Sequence, residues 1–148
     1  MSGKRIVLLI ACIGLLYAYQ YALVWGTGHA LALPIPSAWR ASFPTRLSGT
    51  LTWIILIHTL AVLIVSTPFA LFIARFGGRP APAIALAFTV VFFAIFSLPA
   101  LIEFFGTLPI RQRIVTGFDQ IKLILILPLL VWLMRKLPPI RWSGPGSL

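Results

Sequence analysis

Residues 49–76 read GTLTWIILIHTLAVLIVSTPFALFIARF, and this stretch decides the fold class of the chain. No residue from 51 to 73 carries a formal charge, and that length is enough for a helix to cross a bilayer core of ~30 Å. Three other segments show the same apolar character. The sequence therefore predicts an all-α membrane protein with four transmembrane helices in an antiparallel bundle, so that both termini lie on one side.

The composition of the whole chain also indicates that lipid is its main surrounding. Of its 148 residues, 60% are hydrophobic and 9% are charged, whereas a soluble domain has roughly 25% charged residues. A water-soluble fold of this size cannot cover its surface with so few charges.

The predicted membrane domain occupies residues 1–137, and the tail at 138–148 is rich in Pro, Gly and Ser, which predicts a lack of fixed structure. The apolar run of the first span is too long for a typical signal-peptide core, so we expect it to be retained as a helix. The predicted spans are residues 6–25, 50–74, 83–105 and 118–135.

The longest predicted connection, residues 26–48, contains three prolines that prevent a continuous helix. Its aromatic residues, Trp39 and Phe43, argue against a freely solvated loop. We expect it to lie along the membrane surface with a short amphipathic turn around residues 37–42. The fourth span is the weakest, because polar residues occupy its first turn and Pro128 interrupts it, and a re-entrant segment is the alternative.

The basic residues indicate lipid contact and an orientation. Twelve Lys and Arg against two acidic residues give a formal net charge of +10. They are scattered at the ends of apolar segments, a placement typical of helices that contact anionic headgroups and not of nucleic-acid binding. One predicted side holds Lys4, Arg5, Arg75, Arg79, Arg135, Lys136 and Arg141. The other holds Arg40, Arg46, Arg111 and Arg113, with Lys122 at its edge. The excess predicts cytoplasmic N and C termini in a bacterial-type inner (plasma) membrane.

Two patterns predict packing surfaces. Gly14, Ala18 and Ala22 recur every four residues of the first span, and small residues at this spacing let another helix approach closely in lipid. The third span has a stripe of aromatic residues and a proline, Pro99, that is expected to kink or weaken its last turns. The stripe consists of Phe88, Phe92, Phe93 and Phe96.

Two polar residues are predicted at membrane depth. His58 lies roughly 12–15 Å along the second span, where a neutral imidazole bonded to Gln20, Tyr17 or Thr59 is the structural interpretation. Proton relay or metal ligation is the functional alternative. Gln20 of the first span is expected to bond a neighbouring helix.

A charged cluster is predicted at the outer interface. Glu103 ends the third span, and Asp119 and Lys122 begin the fourth, three residues apart and therefore on one helix face. Arg111 and Arg113 precede them and are candidate members. The structural interpretation is capping, snorkelling and ion pairing. The alternative is a proton- or cation-handling site at the mouth of a pathway.

Few residues are available for catalysis or for cofactors. Cys12 is the only cysteine and His29 the only other histidine, so neither a disulfide nor a thiolate metal site is expected. A haem with two histidine ligands would need the outer loop to fold inward. With two carboxylates in the chain, a general base is scarce. The sequence predicts no metal, no cofactor and no enzyme.

Two functional hypotheses remain from these patterns. The first is a small multi-pass protein that acts by association, as an accessory, assembly or protective subunit of a larger membrane complex or as a homo-oligomer. The alternative is a small oligomeric transporter or channel that uses Glu103 and His58.

Overall fold

The fold is all-helical. The structure is a computed structural model that describes residues 3–104 and 106–136, without the side chains of residues 3–9, 104, 111 and 114. A π-helical turn, Phe93–Ser97, lies between the fourth and fifth helices. The α-helices are α1 (Gly3–Leu31), α2 (Ser37–Ala41), α3 (Arg46–Phe76), α4 (Ala81–Phe92), α5 (Leu98–Phe104) and α6 (Ile110–Lys136).

Four stretches are long and apolar enough to cross a membrane, which confirms the predicted class of a multi-pass, four-helix membrane protein. They are Ile10–Leu31, Arg46–Phe76, Ala81–Glu103 and Val115–Lys136. The long helix α3 lies at the centre, packed against α1 on one side and α6 on the other, and α6 packs against α4. The bundle has a terminal end, where α3 passes into α4, and an α2 end, which carries the helix α2.

The hydrophobic core fills the half of the bundle nearer the terminal end. Tyr19 is fully buried at its centre, with edge contacts to Phe69, Phe88 and Phe92 at ring-centroid distances of 4.9, 5.6 and 5.1 Å. Its hydroxyl shares a hydrogen bond of 2.8 Å with the hydroxyl of Ser66, which is also fully buried. Both polar groups are therefore satisfied where no water reaches them.

The helices are longer than the predicted spans at the α2 end. Helix α1 continues past Trp25 to Leu31. In this added part Gly26 lies close to Val65, and the Thr27 hydroxyl donates to the Leu23 carbonyl. The connection to α3 is thereby shortened to residues 32–45. It contains α2 at the place where a short turn was expected, and Trp39 Nε1 donates to the Gly49 carbonyl at 3.0 Å.

The fourth span lies in a continuous helix, α6, that begins at Ile110. The apolar candidate span within it begins at Val115, three residues before the predicted start at residue 118. Pro109 directly precedes α6, and proline is favourable at a helix start because its missing N–H has no helical partner there. The Arg113 side chain donates to the carbonyls of Gly106 and Leu108 and closes the preceding turn. The re-entrant alternative does not hold, since α6 runs to Lys136 at the terminal end, where Arg135 donates to the Arg79 carbonyl.

Three prolines, Pro68, Pro99 and Pro128, lie inside the spans, and the structure shows how the fold adjusts around the last two. Pro128 cannot donate to the carbonyl of Ile124, and the buried Thr89 hydroxyl lies 3.1 Å from that oxygen, across the α4–α6 contact. Pro99 cannot donate to Ile95, and the turn directly before it widens into the π-helix, in which the Leu98 N–H bonds to Phe93. The weakening expected at Pro99 is this turn.

The predicted turn between the second and third spans is tight. The Gly77 N–H donates to the Ile73 carbonyl at 2.8 Å, and Gly78 adopts a left-handed φ of +58°. A Cβ on Gly77 would lie 2.6 Å from the Ile73 oxygen, which only glycine avoids. The turn makes α3 and α4 antiparallel neighbours. The side chains of Lys4 and Arg5, residue Arg141 and the predicted tail at 138–148 lie outside the described residues.

The buried hydroxyl pair predicts a measurable coupling. We expect Tyr19→Phe and Ser66→Ala each to lower the free energy of unfolding by about 1 kcal/mol, because each leaves the other hydroxyl without a partner. The double variant should recover part of this loss, with a coupling of about 0.6–1.7 kcal/mol, the range for hydrogen bonds between membrane helices. Unfolding in mixed micelles measures the cycle. Strictly additive losses would contradict the hydrogen bond.

Candidate functional site

A polar cluster lies between α3 and α6 in the α2 half of the bundle. Lys122 Nζ is 2.6 Å from Asp119 Oδ1 and donates to the Thr59 hydroxyl at 3.1 Å. His58 Nδ1 lies 3.4 Å from the same Asp119 oxygen and 3.5 Å from Lys122 Nζ. We call these four residues the α3–α6 polar cluster.

Helix geometry explains why these side chains meet. Asp119 and Lys122 are three residues apart and share one face of α6, whereas His58 and Thr59 are adjacent on α3. His58 follows Arg46 by twelve residues, and Lys122 follows Ile110 by twelve residues, so each lies roughly 18 Å from the start of its helix. Because α3 and α6 both start at the α2 end and pack together, equal counts bring the two residues to the same depth.

The charges in this cluster lie within the candidate spans, His58 in Arg46–Phe76 and Asp119 and Lys122 in the first third or so of Val115–Lys136. The side chains of His58, Lys122 and Asp119 retain 16%, 17% and 26% of their accessible surface. An unpaired charge at such depth is costly in lipid. Here the ammonium and the carboxylate neutralise each other, and the hydroxyl of Thr59, which itself donates to the Ile55 carbonyl at 2.6 Å, accepts another Lys122 proton.

His58 also borders a partly open cavity of about 170 Å³, which we call the inner cavity. Gln20 of α1 lines the same cavity, as does Ser97 of the π-helical turn. Both contacts between His58 and the charged pair involve Nδ1, so Nε2 is the ring nitrogen left for other partners. The predicted intramembrane residues His58 and Gln20 thus face one space from different helices.

A second cavity, the outer cavity, has a volume of about 290 Å³ and lies on the other side of the π-helical turn, between α5 and α6. Phe96 and Ser97 line both cavities. Thr116 and Gln120 of α6 line the outer one. The polar lining of the bundle is therefore gathered in its α2 half, whereas its terminal half is packed around Tyr19.

The predicted outer-interface cluster is divided in the structure. Asp119 and Lys122 pair with each other against α3, whereas Glu103 is exposed near the end of α5. The Arg113 guanidinium binds the carbonyls of Gly106 and Leu108. The Arg111 side chain is outside the described part. Asp119 and Lys122 are therefore paired with α3, and their predicted grouping with Glu103 at the outer interface stays a prediction.

The predicted packing surfaces are used in different ways. Gly14 and Ala18 are exposed, and Ala22 is half-buried. A Cβ added to Gly14 would meet no atom within 4 Å. Part of the aromatic stripe packs against α1 of the same chain. Phe88 and Phe92 contact Tyr19, and Phe96 contacts Tyr17 at a ring-centroid distance of 5.4 Å.

The remaining ligand-type residues lie apart from the polar cluster. His29 was expected in a loop, but it occupies the last turn of α1, where its Nδ1 donates to the Trp25 carbonyl at 2.8 Å. Cys12 is exposed on α1. Among residues 3–104 and 106–136, no three His, Cys, Asp or Glu side chains are grouped so as to hold a metal ion.

The chain has no match among protein-family models, curated proteins or solved structures. The α3–α6 polar cluster combines a cation, an anion and an imidazole beside a partly polar cavity, and imidazole is the side chain best suited to exchange a proton near neutral pH. The pairing of His58 with Asp119 and Lys122 was missed from sequence because the start of α6 was set too late.

The ion pair predicts a compensating double substitution. Asp119→Asn or Lys122→Met alone leaves one charge unpaired inside a span, and we expect each to lower the free energy of unfolding by about 2–3 kcal/mol, near the value for a charge at a helix centre. The double variant should be close to the natural chain in stability. Unfolding in detergent micelles measures all three. A double variant less stable than either single one would contradict a paired role.

Proposed function

We propose that this chain acts by association, as an accessory, assembly or protective subunit of a larger membrane complex. The observation that supports the proposal is the exposure of the small-residue face of α1, Gly14 and Ala18, which no other helix of the chain covers in the described region. The proposed location is a bacterial-type inner membrane with both termini in the cytoplasm.

The small-residue face is separate from the side of α1 that holds the bundle together. Leu16, Tyr19 and Leu23 are the α1 residues buried against the core. In lipid there is no hydrophobic force between helices, and close backbone approach at small residues is one of the main sources of helix association. A second membrane helix, from an unlike protein or from another copy of this chain, is the partner that such a face fits.

The proposal includes an orientation in the membrane. The seven basic residues assigned to the terminal side, against four or five at the α2 side, favour cytoplasmic termini.

The proposal includes no enzymatic activity. One of the two carboxylates of the chain, Asp119, is bound to Lys122, which makes it a poor general base.

Substitutions on α1 test the association. Gly14→Leu and Ala18→Leu place bulk on the small-residue face, and overpacking of this kind costs about 1–3 kcal/mol, or roughly 5-fold to 150-fold in affinity. Cys12→Leu is the matched control, because Cys12 is also exposed and lies two residues from Gly14 on another side of α1. The measurement is recovery of the partner, or of the homo-oligomer, with the tagged full chain in mild detergent. Equal recovery by all three variants would contradict the proposal.

A second candidate function is a small oligomeric transporter or channel that uses His58 and Glu103. The specific observation in its favour is the α3–α6 polar cluster beside the inner cavity, because ionisable groups at membrane depth are by default functional candidates. The packing of Tyr19 in the terminal half argues against an open pore through one copy. A transported species would have to enter from the α2 end.

Flux measurements separate the two candidates. If the chain transports protons or a small cation, the purified protein in liposomes should move it without a partner, and His58→Gln should reduce the flux to that of empty liposomes. Glu103→Gln should reduce it in part. The absence of flux from the natural chain would contradict the transport function and leave association unaffected.

A further inference from the structure

The side chain of Gln120 indicates that the outer cavity contains water. Gln120 lines this cavity, and its Oε1 is buried and has no hydrogen-bond partner among the described residues. Nearly all buried polar atoms in proteins are bonded, to protein or to ordered water. A cavity of about 290 Å³ with Ser97 and Thr116 also in its wall has room for several waters and polar groups to hold them. A water molecule is the donor that fits Gln120 Oε1.

The inner cavity meets the same conditions. At about 170 Å³ it is smaller, but its lining includes Gln20, Thr27, Ser97 and His58. A cavity stays dry when its walls are apolar, and four polar side chains make this one a site for water.

The π-helical turn is the partition between the two cavities. Phe96 and Ser97, its last two residues, line both. The wider turn follows from Pro99, and such turns are frequent at functional sites. Phe96 is placed by ring contacts with Tyr17 at 5.4 Å and Phe92 at 5.2 Å. The side chain of Phe96 therefore separates the two cavities, and a substitution that shortens this side chain should connect them.

We propose that the two cavities form one water-filled vestibule, through which water and protons reach His58 from the α2 end of the bundle. The vestibule would supply a transporter with its route to His58, so it extends the second candidate function. It can also exist in a chain that transports nothing. It ends at the core, where Tyr19 is fully buried among phenylalanine rings and hydrogen-bonded to Ser66. Access to His58 is therefore from one side of the membrane only.

Thiol accessibility tests the vestibule in the full chain. Ser97→Cys is made in a Cys12→Ser background and reconstituted in liposomes, and a membrane-impermeant quaternary-ammonium methanethiosulfonate is applied from either side. The thiolate is the reactive form, and it forms in water but not in lipid. Ser42 is the exposed residue directly after α2, so Ser42→Cys marks the side of the membrane at the α2 end. We expect Ser97→Cys to react with reagent applied from that side only.

Two control variants are available, one in the same π-helical turn and one in α3. Ile95→Cys lies in the same π-helical turn but at a residue that is 52% exposed on the outside of the bundle, in lipid, and should react at least about tenfold more slowly. Ser66→Cys lies in the closed core and should be unreactive from both sides. Phe96→Ala should accelerate the reaction at Ser97→Cys. Gel filtration of each variant verifies that it is folded.

The outcomes distinguish the vestibule from the transport function. Reaction at Ser97→Cys in liposomes that show no flux supports the vestibule and contradicts transport. No reaction at Ser97→Cys, reaction from the side where Ser42→Cys is unreactive, or an equal rate at Ile95→Cys would overturn the vestibule.

Discussion

The ion pair between Asp119 and Lys122, 2.6 Å long and held at membrane depth, is the interaction on which the polar half of this bundle depends. Either charge alone is costly in hydrocarbon, and on a single helix the pair would still expose its remaining hydrogen-bonding groups. The contact with α3 supplies His58 and Thr59 as further partners. The need to satisfy this pair therefore fixes the register between α3 and α6, in a membrane where apolar contacts alone are weak guides to helix register.

The bundle has a different character at each end as a consequence. In the terminal half, apolar packing around Tyr19 leaves little space, and the two buried hydroxyl groups of Ser66 and Thr89 are both bonded. In the α2 half, the charged pair and a widened helical turn prevent such dense packing, and cavities remain. The division follows from where the sequence puts its polar residues.

The fold class was predictable from the sequence because the uncharged runs exceed the thickness of a bilayer, and four such runs allow few arrangements. The limits of the helices were less predictable. Glycines at 26 and 117 and polar residues in the first turns of α6 resemble loop signals, but helices in or near lipid keep their backbone bonds wherever they can. The error at the start of α6 carried over to the site. With the helix starting at residue 118, Asp119 and Lys122 were placed at the interface beside Glu103, whereas the true start at Ile110 brings them to the depth of His58. Side-chain direction on α1 could not be read from spacing, since a small-residue face serves an internal contact or an external one equally well.

Prolines connect the polar half of the bundle to its helix geometry. A proline in a span leaves the carbonyl four residues earlier without its helical donor, and how that hydrogen bond is replaced depends on the residues opposite it. Pro128 follows the buried Leu127, and the free Ile124 carbonyl lies 3.1 Å from the Thr89 hydroxyl, which is equally near two carbonyls of its own helix. Helix α6 continues unbroken through this dense half. Pro99 lies near the α2 end, where the residues around it leave space, and the helix itself changes to a π-helical turn. That turn brings Phe96 and Ser97 between the two cavities. A missing proline N–H is thus accommodated without a change of helix type at Pro128, where packing is dense. At Pro99, where cavities are present, it is accompanied by a π-helical turn.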